Sequence, residues 1–198
     1  NYYQGQRTDL LPGASLFSPA ARLGHGFRRS VKPEILFPGG RQLYRTPVLD
    51  SQTVYQPDGG LAAPGQQVAW DSNQAGALSK TVHTRGTSNA TALATRSAAR
   101  IYEVLDALRG EHEDSIPQEL VSVLIKALLV HGAKQDDDAC KAITAALKTR
   151  DNSRQFKEVM ARYLGYGAVQ IERVLACTEQ RGTVLGCGEI RENEIHEY

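Results

Sequence analysis

One short motif in this sequence combines residue types that could perform nucleophilic chemistry. Gly86-Thr87-Ser88-Asn89-Ala90-Thr91 places a serine immediately before a long helical pattern. A serine hydroxyl is a poor nucleophile at neutral pH, so it needs a base, an exposed position and donors for the developing oxyanion. Gly86 permits a tight turn, and the unpaired backbone N–H groups at a helix start favour negative charge. This spacing therefore meets two of those needs for Ser88, whose own backbone N–H could serve as one oxyanion donor.

The same motif also fits a structural role, in which Thr87 or Ser88 simply caps the helix that follows. A catalytic base is harder to identify than the nucleophile. His83 lies only five residues before Ser88, but a histidine in a loop is the simpler interpretation. His25 is followed by a glycine, as a catalytic histidine can be, but it lies too close to Val31 to be the expected base. His131 is expected to cap or pack at a helix end, and His112 and His196 to be solvated. Asp9 and Asp50 have no catalytic motif around them.

The elements around the motif indicate a protein of mixed helices and strands. The first 85 residues are rich in Gly, Pro, Gln and Ser, and short runs predict strands at 42–48, 52–55 and 67–70. After Gly86, apolar residues recur at intervals of three and four and predict a first helix that stops at Gly110. Further helices are predicted from about residue 115 to Gly132 and over 139–147, 153–164 and 169–177, followed by a strand at 182–190.

Composition and charge exclude several classes of partner. The 198 residues carry a formal net charge of +1, so no field would recruit nucleic acid or an anionic membrane. No run of about 18 apolar residues predicts a membrane span. Three cysteines without CxxC spacing argue against a disulfide framework or a zinc site and favour a reducing compartment such as the cytoplasm.

No motif in the sequence requires a cofactor. Asp136-Asp137-Asp138 could ligate calcium, but three acids at a helix start also match the helix dipole. We therefore expect no cofactor, with calcium at these aspartates as the alternative.

Four segments occur in one order: Val31-Lys32-Pro33-Glu34-Ile35 with Pro38-Gly39, the motif around Ser88, Leu124–Ala133, and Leu164-Gly165-Tyr166-Gly167. Together they resemble the subtilisin-like serine proteases (subtilases, peptidase family S8). The sequence departs from the family's usual Gly-Thr-Ser-Met-Ala-Thr-Pro at Asn89 and Ala92, and Glu34 replaces an aspartate. The resemblance implies an α/β, subtilisin-like fold. Residues 1–176 would be the C-terminal part of the peptidase domain, including an insertion at 41–85, and 177–198 would begin a further β-rich segment.

The resemblance implies a serine endopeptidase that forms an acyl-enzyme on Ser88. A subtilase triad runs Asp, His, Ser along the chain, yet the residues before Val31 match neither partner motif. We therefore expect a piece of a protease, nearly inactive alone, whose partners are the missing N-terminal part of the domain and a protein or peptide substrate. The alternative is a catalytically inactive, subtilase-like scaffold or peptide-binding module.

Overall fold

The computed structural model describes residues 7–11, 17–19, 21–46, 48–49, 52–111, 116–153, 155–176, 178 and 182–187. Helices and short strands mix along these residues, as expected for an α/β protein. The chain divides into two compact units, the first comprising 1–95 with 133–169 and the second 96–132 with 170–198. Among the described residues, no helix is both long and apolar enough to cross a membrane.

The helices follow the apolar periodicity of the sequence, with corrections at their ends. They are α1 Thr87–Glu111, α2 Val121–His131, α3 Asp137–Leu147, α4 Phe156–Leu164 and α5 Glu172–Leu175. The helix predicted from about residue 115 begins later, because Pro117 has an extended ψ of 139° and a 3₁₀ turn, Gln118–Leu120, precedes α2. The helix predicted over 169–177 shortens to α5, since the backbone of Val169 belongs to a strand.

The strands are short and pair antiparallel. They are β1 Arg7–Thr8, β2 Tyr44–Arg45, β3 Val48–Leu49, β4 Gln52–Thr53, β5 Gln56–Pro57, β6 Gln66–Ala69, β7 Thr81–Thr84, β8 Ala133–Lys134 and β9 Ala168–Val169. One sheet has the order β1-β2-β5, and β3–β4, β6–β7 and β8–β9 form pairs. The single strand predicted at 42–48 is therefore two, and 182–187 are not in a strand, which corrects the tail prediction; residues 188–190 lie outside the described part.

The first unit has a core between α3 and α4. Ala139 and Ile143 of α3 pack with Phe156 and Leu164 of α4, and all four are buried. The ring of Phe17 lies 5.0 Å from that of Tyr163, centroid to centroid, at the edge of this cluster. Burying these apolar side chains stabilises the unit that carries the Ser88 motif, because each fully buried aliphatic or aromatic side chain contributes about 1.5–3 kcal/mol.

Two distant segments of the first unit join beside β9. The N–H of Leu36 donates to the carbonyl of Gly167 (2.8 Å), and the N–H of Tyr166 donates to that of Glu34 (2.8 Å). Leu36 and Ala168 form a parallel bridge. A Cβ on Gly165 would overlap the carbonyl of Pro33, so the chains approach this closely only because the residue is glycine. Two of the four segments that resemble subtilases are thus neighbours in space.

The second unit buries one face of α2. Val121, Leu124, Leu128 and Leu129 are buried, and their spacing places them on one face of the helix. The other buried residues among the described part of this unit are Ser97, Ile101 and Leu105 of α1, Ile116, Gly132, and Val174 of α5.

Candidate active site

Ser88 lies directly after a sharp turn from a strand into a helix. Strand β7 ends at Thr84, and α1 begins at Thr87. Between them Gly86 has a φ of +142°, a conformation that residues with a Cβ rarely adopt. The glycine ahead of the serine is therefore required by the backbone, as the sequence predicted.

The side chain of Ser88 is exposed at the start of α1. The N–H of Asn89 donates to the carbonyl of Gly86 (3.2 Å), so the turn closes on the backbone. Within the part of the chain that the structure describes, no hydrogen bond engages the Ser88 hydroxyl. As the second residue of α1, Ser88 also has a backbone N–H without an intrahelical acceptor, at the positive end of the helix dipole. An attacking hydroxyl and an oxyanion donor are thus available on one residue.

The Pro38-Gly39-Gly40 turn fixes the position of this bend from the other side. The N–H of Gly86 donates to the carbonyl of Gly39 at 2.7 Å. A Cβ on Gly39 would lie 2.8 Å from the carbonyl oxygen of Gly86, and one on Gly40 would lie 2.6 Å from that of Thr84. Side chains at these two positions would push the bend away, so both glycines are needed for the close approach.

Asn89 is a residue whose positioning role the sequence reasoning missed. Its Nδ2 donates to the carbonyl of Gly39 (3.3 Å) and to the hydroxyl of Thr84 (3.0 Å). That hydroxyl in turn lies within hydrogen-bond distance of Asn89 Oδ1 (3.2 Å). One half-buried amide therefore connects the end of β7, the start of α1 and the glycine turn. The sequence showed Asn89 only as a departure from the subtilase motif.

Among the described residues, no histidine is hydrogen-bonded to the Ser88 hydroxyl. His83 lies in β7, where it pairs with Gln67, and its N–H donates to the carbonyl of Leu61 (2.9 Å). This corrects the expectation that His83 lies in a loop. His25 lies elsewhere in the first unit, with Nε2 3.0 Å from a carboxylate oxygen of Glu158. His131 is the exposed last residue of α2, and His112 and His196 lie outside the described residues.

The isolated aspartates do not orient a base either. Asp9 forms an ion pair with Arg41 (2.7 Å) and accepts from the N–H of Leu11 (3.0 Å). Asp50 lies outside the described residues. In the described residues, the exposed Ser88 therefore has no histidine or aspartate hydrogen-bonded to its hydroxyl.

A buried carboxylate, Asp58, organises the backbone near the turn at Gly86. The N–H of Gly60 lies 3.3 Å from Oδ1, and the guanidinium groups of Arg7 and Arg45 lie 3.3 and 3.0 Å from the carboxylate. Burial acts to raise the pKa of Asp58, but these hydrogen bonds and charges together hold it below its ordinary value. The carboxylate is therefore ionised at neutral pH.

The backbone of Asp58 and Gly60 also holds the residue before Gly86. Arg85 donates from Nη1 to the carbonyl of Asp58 (3.4 Å) and from Nη2 to the carbonyl of Gly60. The backbone at Asp58–Gly60 is thereby connected to the residue before Gly86, across 25 to 27 positions of the chain.

The three consecutive aspartates, 136–138, lie at the start of α3. Asp136 accepts a hydrogen bond from the N–H of Ala139 (2.9 Å) and is the N-cap, while Asp138 pairs with Lys141 (3.2 Å). Among the described residues, no group of three or more His, Cys, Asp or Glu side chains could hold a metal ion.

Cys140 is the other conventional nucleophile in the first unit. Burial, together with the negative charges of Asp137 and Asp136, raises the pKa of its thiol. Because the thiolate is the reactive form, this environment disfavours nucleophilic attack by Cys140. Ser88 remains the better placed nucleophile.

Comparison with known proteins gives one match. The family model described as the subtilase family (peptidase S8) matches residues 12–167, most of the chain, and this range contains all four segments noted in the sequence. No curated protein and no solved structure gives a significant match.

Proposed function

This chain belongs to the subtilase family, and on that premise we propose that it carries the nucleophile half of a serine endopeptidase. The observation that supports this most directly is the exposed Ser88 at the first turn of α1, directly after the bend at Gly86. In this proposal the residues described form the C-terminal part of the peptidase domain. The triad histidine and aspartate come from polypeptide outside these 198 residues.

The proposed reaction is acyl transfer to Ser88. Its Oγ attacks the carbonyl carbon of a peptide bond while the external histidine accepts the hydroxyl proton. The backbone N–H of Ser88 and an external amide donor stabilise the oxyanion. The histidine then returns the proton to the leaving amine, the C–N bond breaks, and an ester to Ser88 remains. Water, deprotonated by the same histidine, hydrolyses this ester.

The alternative proposal is an inactive subtilase-like scaffold that binds peptides without cutting them. One observation favours it: in the described part of the chain, no histidine or carboxylate is hydrogen-bonded to the Ser88 hydroxyl. Losing the base alone costs about a million-fold in turnover in subtilisin, the worked example for this chemistry. The two proposals therefore differ in whether a base reaches Ser88 in the complete protein.

A fluorophosphonate probe distinguishes the two, because it reacts with activated serines. The natural polypeptide containing this sequence would be labelled beside its Ser88→Ala variant. Ser122→Ala is the matched control, since Ser122 is likewise exposed and second in its helix, but follows a 3₁₀ turn instead of a strand. Labelling abolished only by Ser88→Ala supports the protease. Folded protein that stays unlabelled supports the scaffold.

A further inference from the structure

A cavity of about 220 Å³ lies in the first unit, between the loop at 24–32 and helix α4. Its lining is rich in basic residues, and the proposed protease function makes no use of this cavity. The lining residues are Gly24, His25, Arg29, Val31, Lys32, Glu158, Ala161 and Arg162.

The cavity carries an excess of positive charge. Arg29, Lys32 and Arg162 face one carboxylate, that of Glu158, which gives the lining a net charge of +2 with a neutral histidine. Lys32 also pairs with Glu34 (3.3 Å), and the excess stays positive when Glu34 is included. An excess of this size in one concave site attracts anions.

A single oxygen of Glu158 holds most of these cations. Its Oε1 lies 3.0 Å from His25 Nε2 and 3.2 Å from the Nη2 atoms of both Arg29 and Arg162. Hydrogen bonds from Arg29 and Arg162 hold the pKa of Glu158 below its ordinary value. A guanidinium has five N–H donors, and the contacts with Glu158 engage only the Nη2 atom of each arginine. Further N–H donors of Arg29 and Arg162 therefore remain for another ligand.

Arg162 is held at the cavity by two contacts. Its Nη2 lies 2.7 Å from His25 Nε2 and 3.2 Å from Glu158 Oε1, and its side chain is 41% exposed. The Nη1 and Nη2 atoms of a guanidinium can together bind two oxygens of one oxyanion.

The loop that carries Arg29 adopts a costly conformation. Arg28 and Arg29 have φ angles of +52° and +61°, in the left-handed region that residues other than glycine seldom occupy. Two such residues in succession strain the backbone of this loop. Such strain often occurs at binding sites, and here the strained Arg29 side chain reaches Glu158 at the cavity.

We propose that this cavity binds a phosphate group, as inorganic phosphate or as a small phosphate monoester. A dianion matches the net charge of +2 on the lining better than a carboxylate does, and its oxygens supply acceptors for the exposed N–H groups of Arg162 and Arg29. The cavity exceeds the volume of one phosphate, so a small substituent can be accommodated. The site lies on residues other than the Ser88 machinery and does not depend on the proposed protease function.

Isothermal titration of the chain with inorganic phosphate tests this site. We expect saturable binding that weakens about tenfold or more in Arg162→Gln, because the two-oxygen contact is lost. Arg29→Gln, which changes a largely exposed side chain, should also weaken binding without affecting folding. Arg150→Gln is the matched control, because it removes the same charge from an exposed residue outside the cavity.

Two further titrations identify the ligand. Acetate should bind about tenfold or more weakly than phosphate, since it carries one charge, and equal affinity would overturn the choice of phosphate. Phosphoserine binding tighter than inorganic phosphate would assign the site to a monoester, and the reverse order would assign it to the free ion. Absence of saturable phosphate binding, or equal weakening by Arg150→Gln and Arg162→Gln, would refute the site.

Discussion

Replacing Asn89 with alanine should loosen the turn that presents Ser88. The amide of Asn89 reaches two partners, the carbonyl of Gly39 and the hydroxyl of Thr84. A hydrogen bond contributes about 1 kcal/mol net, so losing both should destabilise the turn by about 2 kcal/mol. Since 1.4 kcal/mol corresponds to a factor of ten, the turn should open about 30-fold more often in Asn89→Ala.

Amide hydrogen exchange at Gly86 measures this opening directly. The N–H of Gly86 donates to Gly39 across the turn, so its protection reports the free energy needed to separate the two segments. Asn89→Ala should lower that protection about 30-fold. Asn89→Asp keeps an oxygen that can accept from the Thr84 hydroxyl but removes the N–H that donates to the Gly39 carbonyl. We therefore expect a smaller loss of protection, about tenfold.

Asn152→Ala is the matched control for this experiment. Asn152 also has an amide with two partners in the first unit, the carbonyl of Leu147 (2.8 Å) and the N–H of Thr149 (2.9 Å). Its loss should open the turn between α3 and α4 and leave Gly86 protected. Unchanged protection of Gly86 in Asn89→Ala, or an equal decrease in Asn152→Ala, would refute the assignment of Asn89 as the residue that holds the turn.

Two further variants test the surroundings of the turn. The folded-state pKa of Asp58 lies below 3.8, so its contribution to stability is complete above about pH 4 and decreases as the pH falls through that pKa. Asp58→Asn should therefore cost about 3 kcal/mol in urea unfolding at pH 7 and much less near pH 2. Gly39→Ala, whose Cβ would lie 2.8 Å from the Gly86 carbonyl, should lower stability by about 1–3 kcal/mol. Gly59→Ala, where nothing lies within 4 Å of the new Cβ, should leave thermal melting nearly unchanged; equal melting temperatures for the two alanine variants would contradict the close approach.

The features that the sequence predicted correctly are those with local causes. The start of α1 after Gly86 follows from a glycine and a three-and-four periodicity, and the buried face of α2 follows from apolar spacing alone. Asp136 fills the N-cap of α3, where a short acidic side chain can accept from a backbone N–H within one turn. In each case the interacting groups lie within a few residues of each other.

The features that the sequence did not reveal depend on partners far away in the chain. Asn89 bonds Gly39 across 50 positions, and Asp58 bonds Arg7 across 51. No periodicity or capping pattern links residues at such separations. The sequence therefore showed Asn89 only as a departure from a motif and gave no role to Asp58. The tail was predicted as a strand from alternation alone, but 182–187 have no strand partner among the described residues.

The proposal that Ser88 is a nucleophile, and not a helix cap, is supported by the geometry around it. A capping residue lies before the first helical residue, and its side chain accepts from an N–H two or three positions later. Here the helix already begins at Thr87, and the N–H of Asn89 is taken by the carbonyl of Gly86. A cap would also need neither the positive φ of Gly86 nor the close approach of Gly39. These features instead hold Ser88 exposed at a positive helix end, where an attacking oxygen and the oxyanion it generates can both be accommodated.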